Sequence, residues 1–157
     1  YFNQLLAIIN DPDVLYNIPR KIRALAFFTW DLANKYHQEN PFSLVGGFII
    51  LRFINPVLLT PEIYDIVPRS GEGALTMKAR RNLTYLTKLL QNISNKTLFN
   101  EASMLQMNPF LEENFSMLEG FLQGCIEDPH GGEGSAPFSD FLDCTPTPFP
   151  PEAVDFA

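Results

Sequence analysis

The chain has 157 residues, 46% of them hydrophobic, enough apolar side chains for one ordinary domain with its own core, which excludes a disordered protein. Its two cysteines, Cys125 and Cys144, form no disulfide framework and no zinc pattern, so a reducing, cytosolic setting is expected. The net charge of -7 is uneven: all 11 Lys and Arg lie at or before Lys96 and leave that part at +4, too weak for a nucleic-acid binder, while eleven acids stand alone from Thr97 onward.

The opening stretch YFNQLLAIIN reads as helix interior from its first residues. With no leading Met, signal peptide or lipidation motif, the chain is expected to be cut from something longer. After Pro19, a residue favoured at helix starts, Ile22, Leu25, Ala26, Thr29, Leu32, Ala33 and Tyr36 recur at helical spacing. That predicts an amphipathic helix ending near HQEN.

Past Pro41 comes an apolar run, Leu44 to Leu59, interrupted by Arg52, Asn55 and Pro56. It falls short of the roughly 20 residues that span a bilayer. Apolar all round, it predicts a central, buried helix, ended or kinked at Asn55-Pro56 because the residue before a proline is pushed out of the α region.

TPEIYDIV predicts a short helix with Thr60 as cap and Pro61 in the first turn, and PRSGEG a loop. Ala79, Leu83, Leu86, Leu90 and Ile93 then form an apolar stripe over four turns, while Arg81, Thr84, Lys88, Gln91 and Asn95 line a second, polar face. A last helix is predicted from Asn108 as cap and Pro109, with Leu111, Phe115, Leu118 and Leu122 inward.

After Asp128 the chain holds six of its 13 prolines and no base, so 129–157 is expected to be an acidic Pro/Gly-rich linker or disordered tail. There is no internal repeat and no alternating strand pattern. The fold class is all-α.

Little in the sequence suggests catalysis. His37 and His130 have no Ser, Cys or Asp at the spacing of a triad or metal site. SGEG lacks the rest of a phosphate-binding loop, and no strand precedes it. The sequons at Asn82, Asn92, Asn95 and Asn114 read as chance, three of them lying on one predicted helix, and Glu112 and Glu113 are explained by the macrodipole at a helix start.

Two residues survive this filter. Lys88 lies one turn from Thr84 and Gln91 on a helix whose other face is committed to the core, where a plain solvated lysine is the simpler reading. Arg52 is the one charge in an apolar run. It either holds helix-end carbonyls as a structural guanidinium or has a functional group to position.

These segments also resemble a known family. ILRFINPVLLTPE is similar to the F-L-R-F-I-N-P-A signature of Ras GTPase-activating domains. RRNLTYLTKLLQNISNKTLF and NPFLEENFSMLEGFL resemble the helices that follow it, and the segment before Asn40 resembles the one preceding it. The likeness runs in order from about Leu5 to Asp128 and implies a helical array, with 1–128 the C-terminal half of such a domain.

The implied partner is a GTP-loaded Ras-like small GTPase whose hydrolysis is accelerated by an inserted arginine finger. The chain is then no enzyme itself but a regulator that completes its partner's active site. It has no cofactor of its own, since GTP and Mg belong to the GTPase. In the family the signature arginine hydrogen-bonds the finger loop from behind, a role that falls to Arg52, with Asn55 fixing the helix end beneath. Leu51 would face the switch surface, and Lys88, Asn95 and Phe99 match positions on the binding groove or its support. A cytoplasmic protein recruited to the inner face of the plasma membrane through its other parts would fit.

The signature begins with Ile50 where Phe is usual and ends Pro56-Val57 where Pro-Ala is usual, both apolar exchanges. The finger loop of the family lies upstream of this stretch, and no arginine here sits in such a sequence. Alone, the chain is expected to activate little and to expose apolar faces that the other half would cover. Rival readings are a non-catalytic GTPase binder of the same fold and a helical module for lipid or protein.

Overall fold

The computed structural model of the chain describes residues 2–36, 40–129 and 138–142. All regular structure among them is helical. In chain order the elements are α1 (Phe2–Ile9), α2 (Pro12–Tyr16), α3 (Arg20–Tyr36), α4 (Pro41–Ile49), a π-turn (Ile50–Ile54), α5 (Asn55–Leu59), α6 (Met77–Ser94), α7 (Asn108–Ile126) and α8 (Ser139–Leu142).

Helices α6 and α7 form where the apolar stripes predict them. Thr76 caps α6, its Oγ1 accepting the Ala79 N–H at 3.1 Å. Leu90 and Ile93 turn inward onto Leu111, Leu118 and Leu122 of α7, all at 1% exposure or less. Burying each such side chain stabilises the fold by about 1.5–3 kcal/mol, which outweighs helix propensity in deciding the faces.

Asn108 does not cap α7 as expected. It occupies the first helical position, and its amide clamps the preceding loop by accepting the Phe99 N–H at 2.8 Å and donating to the Phe99 carbonyl at 3.1 Å.

Three further expectations are corrected. TPEIYDIV is a series of turns, because the Thr60 hydroxyl donates backward to the Pro56 carbonyl at 2.9 Å instead of capping forward. In α3, Ala26 and Ala33 are buried with Ala24 and Arg23, while Leu25, Leu32 and Tyr36 stay exposed. Within the stretch expected to be a disordered tail, 138–142 forms α8 and docks, its Phe138 ring 1% exposed and 5.6 Å from Phe27. The tail reading for 130–137 and 143–157 lies outside the described residues, as do His37 and His130.

Arginines hold the bundle ends. The buried Arg23 donates to the carbonyls of Gly124 at 2.6 Å, Glu127 at 3.0 Å and Leu15, closing the C-terminal end of α7 onto α2 and α3. Arg20 pairs with Asp128 at 2.5 Å and with Asp140, and its guanidinium lies over the rings of Phe138 and Phe141. This is how α8 is tied to the body.

Candidate functional site

From Pro41 to Leu59 the chain is one continuous helix of 19 residues and mean hydropathy 1.9, by length and composition alone enough to cross a membrane. It packs instead against α3, α6 and α7 on one side. The Asn55-Pro56 pair does not end it. Pro56 has no N–H for the Arg52 carbonyl four residues back, and its ring would collide with that carbonyl in an unbroken α-helix. The helix answers by widening: the Asn55 N–H donates to Ile50, five residues back, before α resumes with Pro56 in its first turn.

The expectation of a helix buried all round fails here for a plain reason. Val45, Gly46, Ile49, Ile50 and Asn55 face the bundle, whereas Leu44, Arg52, Phe53 and Leu59 are exposed on the side that no described helix covers. Arg52 has no hydrogen bond or ion pair among the described residues. Beside it Phe53 stands edge-on to Phe48, the ring centroids 5.1 Å apart. The role of holding helix-end carbonyls, one reading for Arg52, is filled by Arg23, a residue the sequence reading did not single out.

Beneath the π-turn Asn55 is 3% exposed, its Nδ2 donating to the Thr87 carbonyl of α6 at a long 3.5 Å. Its Oδ1 has no partner among the described residues. Leu51 lines a cleft of about 20 Å³ with Gly46, Gly47, Ile50, Gln91, Ser94 and Asn95. Leu51 and Asn95 are thereby brought to one groove. Phe99 is buried in the core, so its place is beneath the surface and not on it.

Along the outer face of α6, Lys78, Arg80, Arg81, Thr84, Tyr85 and Lys88 border an open depression of about 750 Å³. Three of these bases crowd the first turns of a helix that has no acid there. Cations at an N-terminus oppose the macrodipole, each costing about 0.3–1 kcal/mol when unopposed. Glu62 offsets one through its pair with Arg80 at 2.9 Å; a backbone N–H and Arg80 hold that carboxyl below the usual glutamate range. Lys88 faces Glu101 at 3.5 Å, with both side chains largely in water. The face is a basic, solvated surface suited to an acidic partner.

Among the described residues no three His, Cys, Asp or Glu converge as a metal site requires. Burial pushes the Cys125 thiol up to about 12, which keeps it from acting as a nucleophile at neutral pH.

The sequence profile of GTPase-activator proteins for Ras-like GTPases matches residues 1–95. Neurofibromin-A of Dictyostelium discoideum is 41% identical over 128 residues, which is 80% of this chain and 14% of that protein. The Drosophila melanogaster Ras GTPase-activating protein raskol is 31% identical over 110 residues, 68% of this chain and 7% of its own length. The human Ras GTPase-activating-like protein IQGAP2 is 26% identical over 138 residues, 82% of this chain and 8% of its own. The chain therefore spans a small part, 14% or less, of these relatives.

Proposed function

Because the chain belongs to the family of GTPase-activator proteins for Ras-like GTPases, we propose that it forms the part of such a protein that binds the GTP-loaded switch regions and braces an arginine finger supplied from outside this sequence. The observation that carries the reading is Arg52, an exposed guanidinium with no partner among the described residues, presented from a π-turn inside the family's signature.

A guanidinium's five donors suit the carbonyls of a loop laid across them. Arg52 then fixes the loop that bears the finger, and Asn55 holds the helix beneath Arg52 by its contact with α6. The Ras-like protein docks on the groove at Leu51 and Asn95 and on the basic face around Lys88, bringing its own GTP and Mg2+. The charge developing on the transferred phosphoryl group is met by the finger, and this chain supplies position.

Single-turnover GTP hydrolysis by GTP-loaded Ras-like proteins, with the full-length protein and its Arg52→Ala variant, tests this. A loss of about 10–100-fold in the hydrolysis rate with GTPase affinity retained supports the reading. Binding of the GTP-loaded form without acceleration points to a non-catalytic binder. Hydrolysis indifferent to Arg52→Ala overturns the bracing role.

A further inference from the structure

The helix that carries Arg52 is pinned to α6 at two places. Upstream, Gly46 lies so close to α6 that an added Cβ would stand 1.8 Å from Ser94 Oγ. Downstream, Asn55 is buried against the Thr87 carbonyl. The two helices run antiparallel through these contacts, yet the stretch from Gly46 to Asn55 is two residues longer than that from Thr87 to Ser94. The π-turn between the pins inserts one residue and takes up part of that difference.

Both pins sit in α-helical segments, so everything adjustable lies in Ile50–Ile54. In an unbroken α-helix each residue is rotated by about 100° from the next, and one inserted residue turns a side chain by that angle relative to the helix beyond. The insertion places Arg52 on the solvent side while Ile50 and Asn55 stay buried. It also changes the backbone. The Asn55 N–H is spent on Ile50, and Pro56 has none to give Arg52, so the usual α-helical donors to the Leu51 and Arg52 carbonyls are both removed beside the guanidinium.

We propose that Pro56 is a positioning residue for Arg52: by forbidding the α-helical bond to the Arg52 carbonyl it holds the π-turn open, and the π-turn aims the guanidinium at the loop it braces. The inference rests on the function proposed above and adds to it the residue that sets the direction of Arg52. Pro56→Ala restores an N–H at that position and permits the turn to close to α.

The experiment is a double-mutant cycle in the full-length protein, measuring single-turnover GTP hydrolysis, GTPase affinity and thermal unfolding for Arg52→Ala, Pro56→Ala and the pair. Alanine is a better helix residue than proline, so Pro56→Ala is expected to keep or raise the unfolding temperature. It should nevertheless lower the hydrolysis rate at saturating activator by about 10–100-fold, a readout that an affinity change through Leu51 of the same turn does not move. The double variant should be no slower than Arg52→Ala alone, since a residue acting through another adds nothing once that other is gone.

Multiplying losses, a wild-type rate in Pro56→Ala, or a loss that only follows a lowered unfolding temperature would each overturn the proposal. Arg52→Ala without effect would overturn the bracing role proposed for Arg52 and the role of Pro56 with it. Arg52→Ala slow beside Pro56→Ala fast would overturn the role of Pro56 alone.

Discussion

Arg23 and Gly124, 101 residues apart in sequence, are joined by a guanidinium N–H donating to a helix-end carbonyl at 2.6 Å, and the same side chain reaches Glu127 and Leu15. Its Nε is buried without a partner among the described residues, so the site is satisfied only in part. Arg23→Met should retain much of the packed volume but leave these carbonyls without their donor. Urea unfolding is expected to show a loss of about 2–4 kcal/mol. Arg52→Ala, by contrast, removes an exposed group and should stay within about 0.5 kcal/mol of the parent.

Gly46 allows α4 to approach α6 where no other residue could. The Cβ of Gly46→Ala would meet Ser94 Oγ at 1.8 Å and Ser94 Cβ at 3.2 Å, so the buried Ser94 hydroxyl must turn away and the helices ease apart, at about 1–3 kcal/mol. Ser94→Gly removes both atoms. The pair of substitutions together should recover part of the stability lost by Gly46→Ala, read as non-additivity in thermal unfolding.

The docking of α8 should depend on acid. Hydrogen bonds from Arg20 hold the Asp140 carboxyl below the usual aspartate range. A depressed folded-state pKa means that the stabilisation is complete above the ordinary aspartate value near ~4 and fades as pH falls through the lower folded value. Trp30, the only tryptophan, lies against Phe27, which in turn contacts Phe138, so its fluorescence should report undocking below about pH 4. Asp140→Asn should weaken docking at neutral pH and flatten that acid response, and salt should weaken docking because the Arg20 pair is partly exposed.

Cys125 should resist alkylation at pH 8. It is fully buried, and its thiol is pushed up to about 12 by that burial. Peptide mapping after iodoacetamide is expected to find Cys125 modified only once the protein is unfolded, and rapid labelling of the native protein would contradict this packing.

Several of these relationships were legible before any coordinates. The apolar stripes of α6 and α7 follow from helical periodicity alone, since residues three and four apart share a face whatever lies opposite. The signature around Arg52 and the family it points to are equally local, because a run of consecutive residues carries them. The polar face of α6 with Lys88 was legible too, as the complement of its core stripe.

What the linear chain could not decide is which surface each face meets. Periodicity makes α3 a helix with apolar positions but cannot say that Ala26 and Ala33 go in while Leu25 and Leu32 stay out, because that depends on α4 and α7 arriving against it. It marked Arg52 as the arginine in apolar surroundings, yet the buried one is Arg23, whose acceptors come from α7 and the end of α2. Asn55-Pro56 reads locally as a helix end or kink; packing on α6 keeps the helix going, and the proline is accommodated by widening one turn. Sequence by itself thus determined the long helices α3, α6 and α7, the stripes of α6 and α7, and the family. The tertiary structure decided burial, pairing and the direction in which Arg52 points, because those depend on residues brought together from distant parts of the chain.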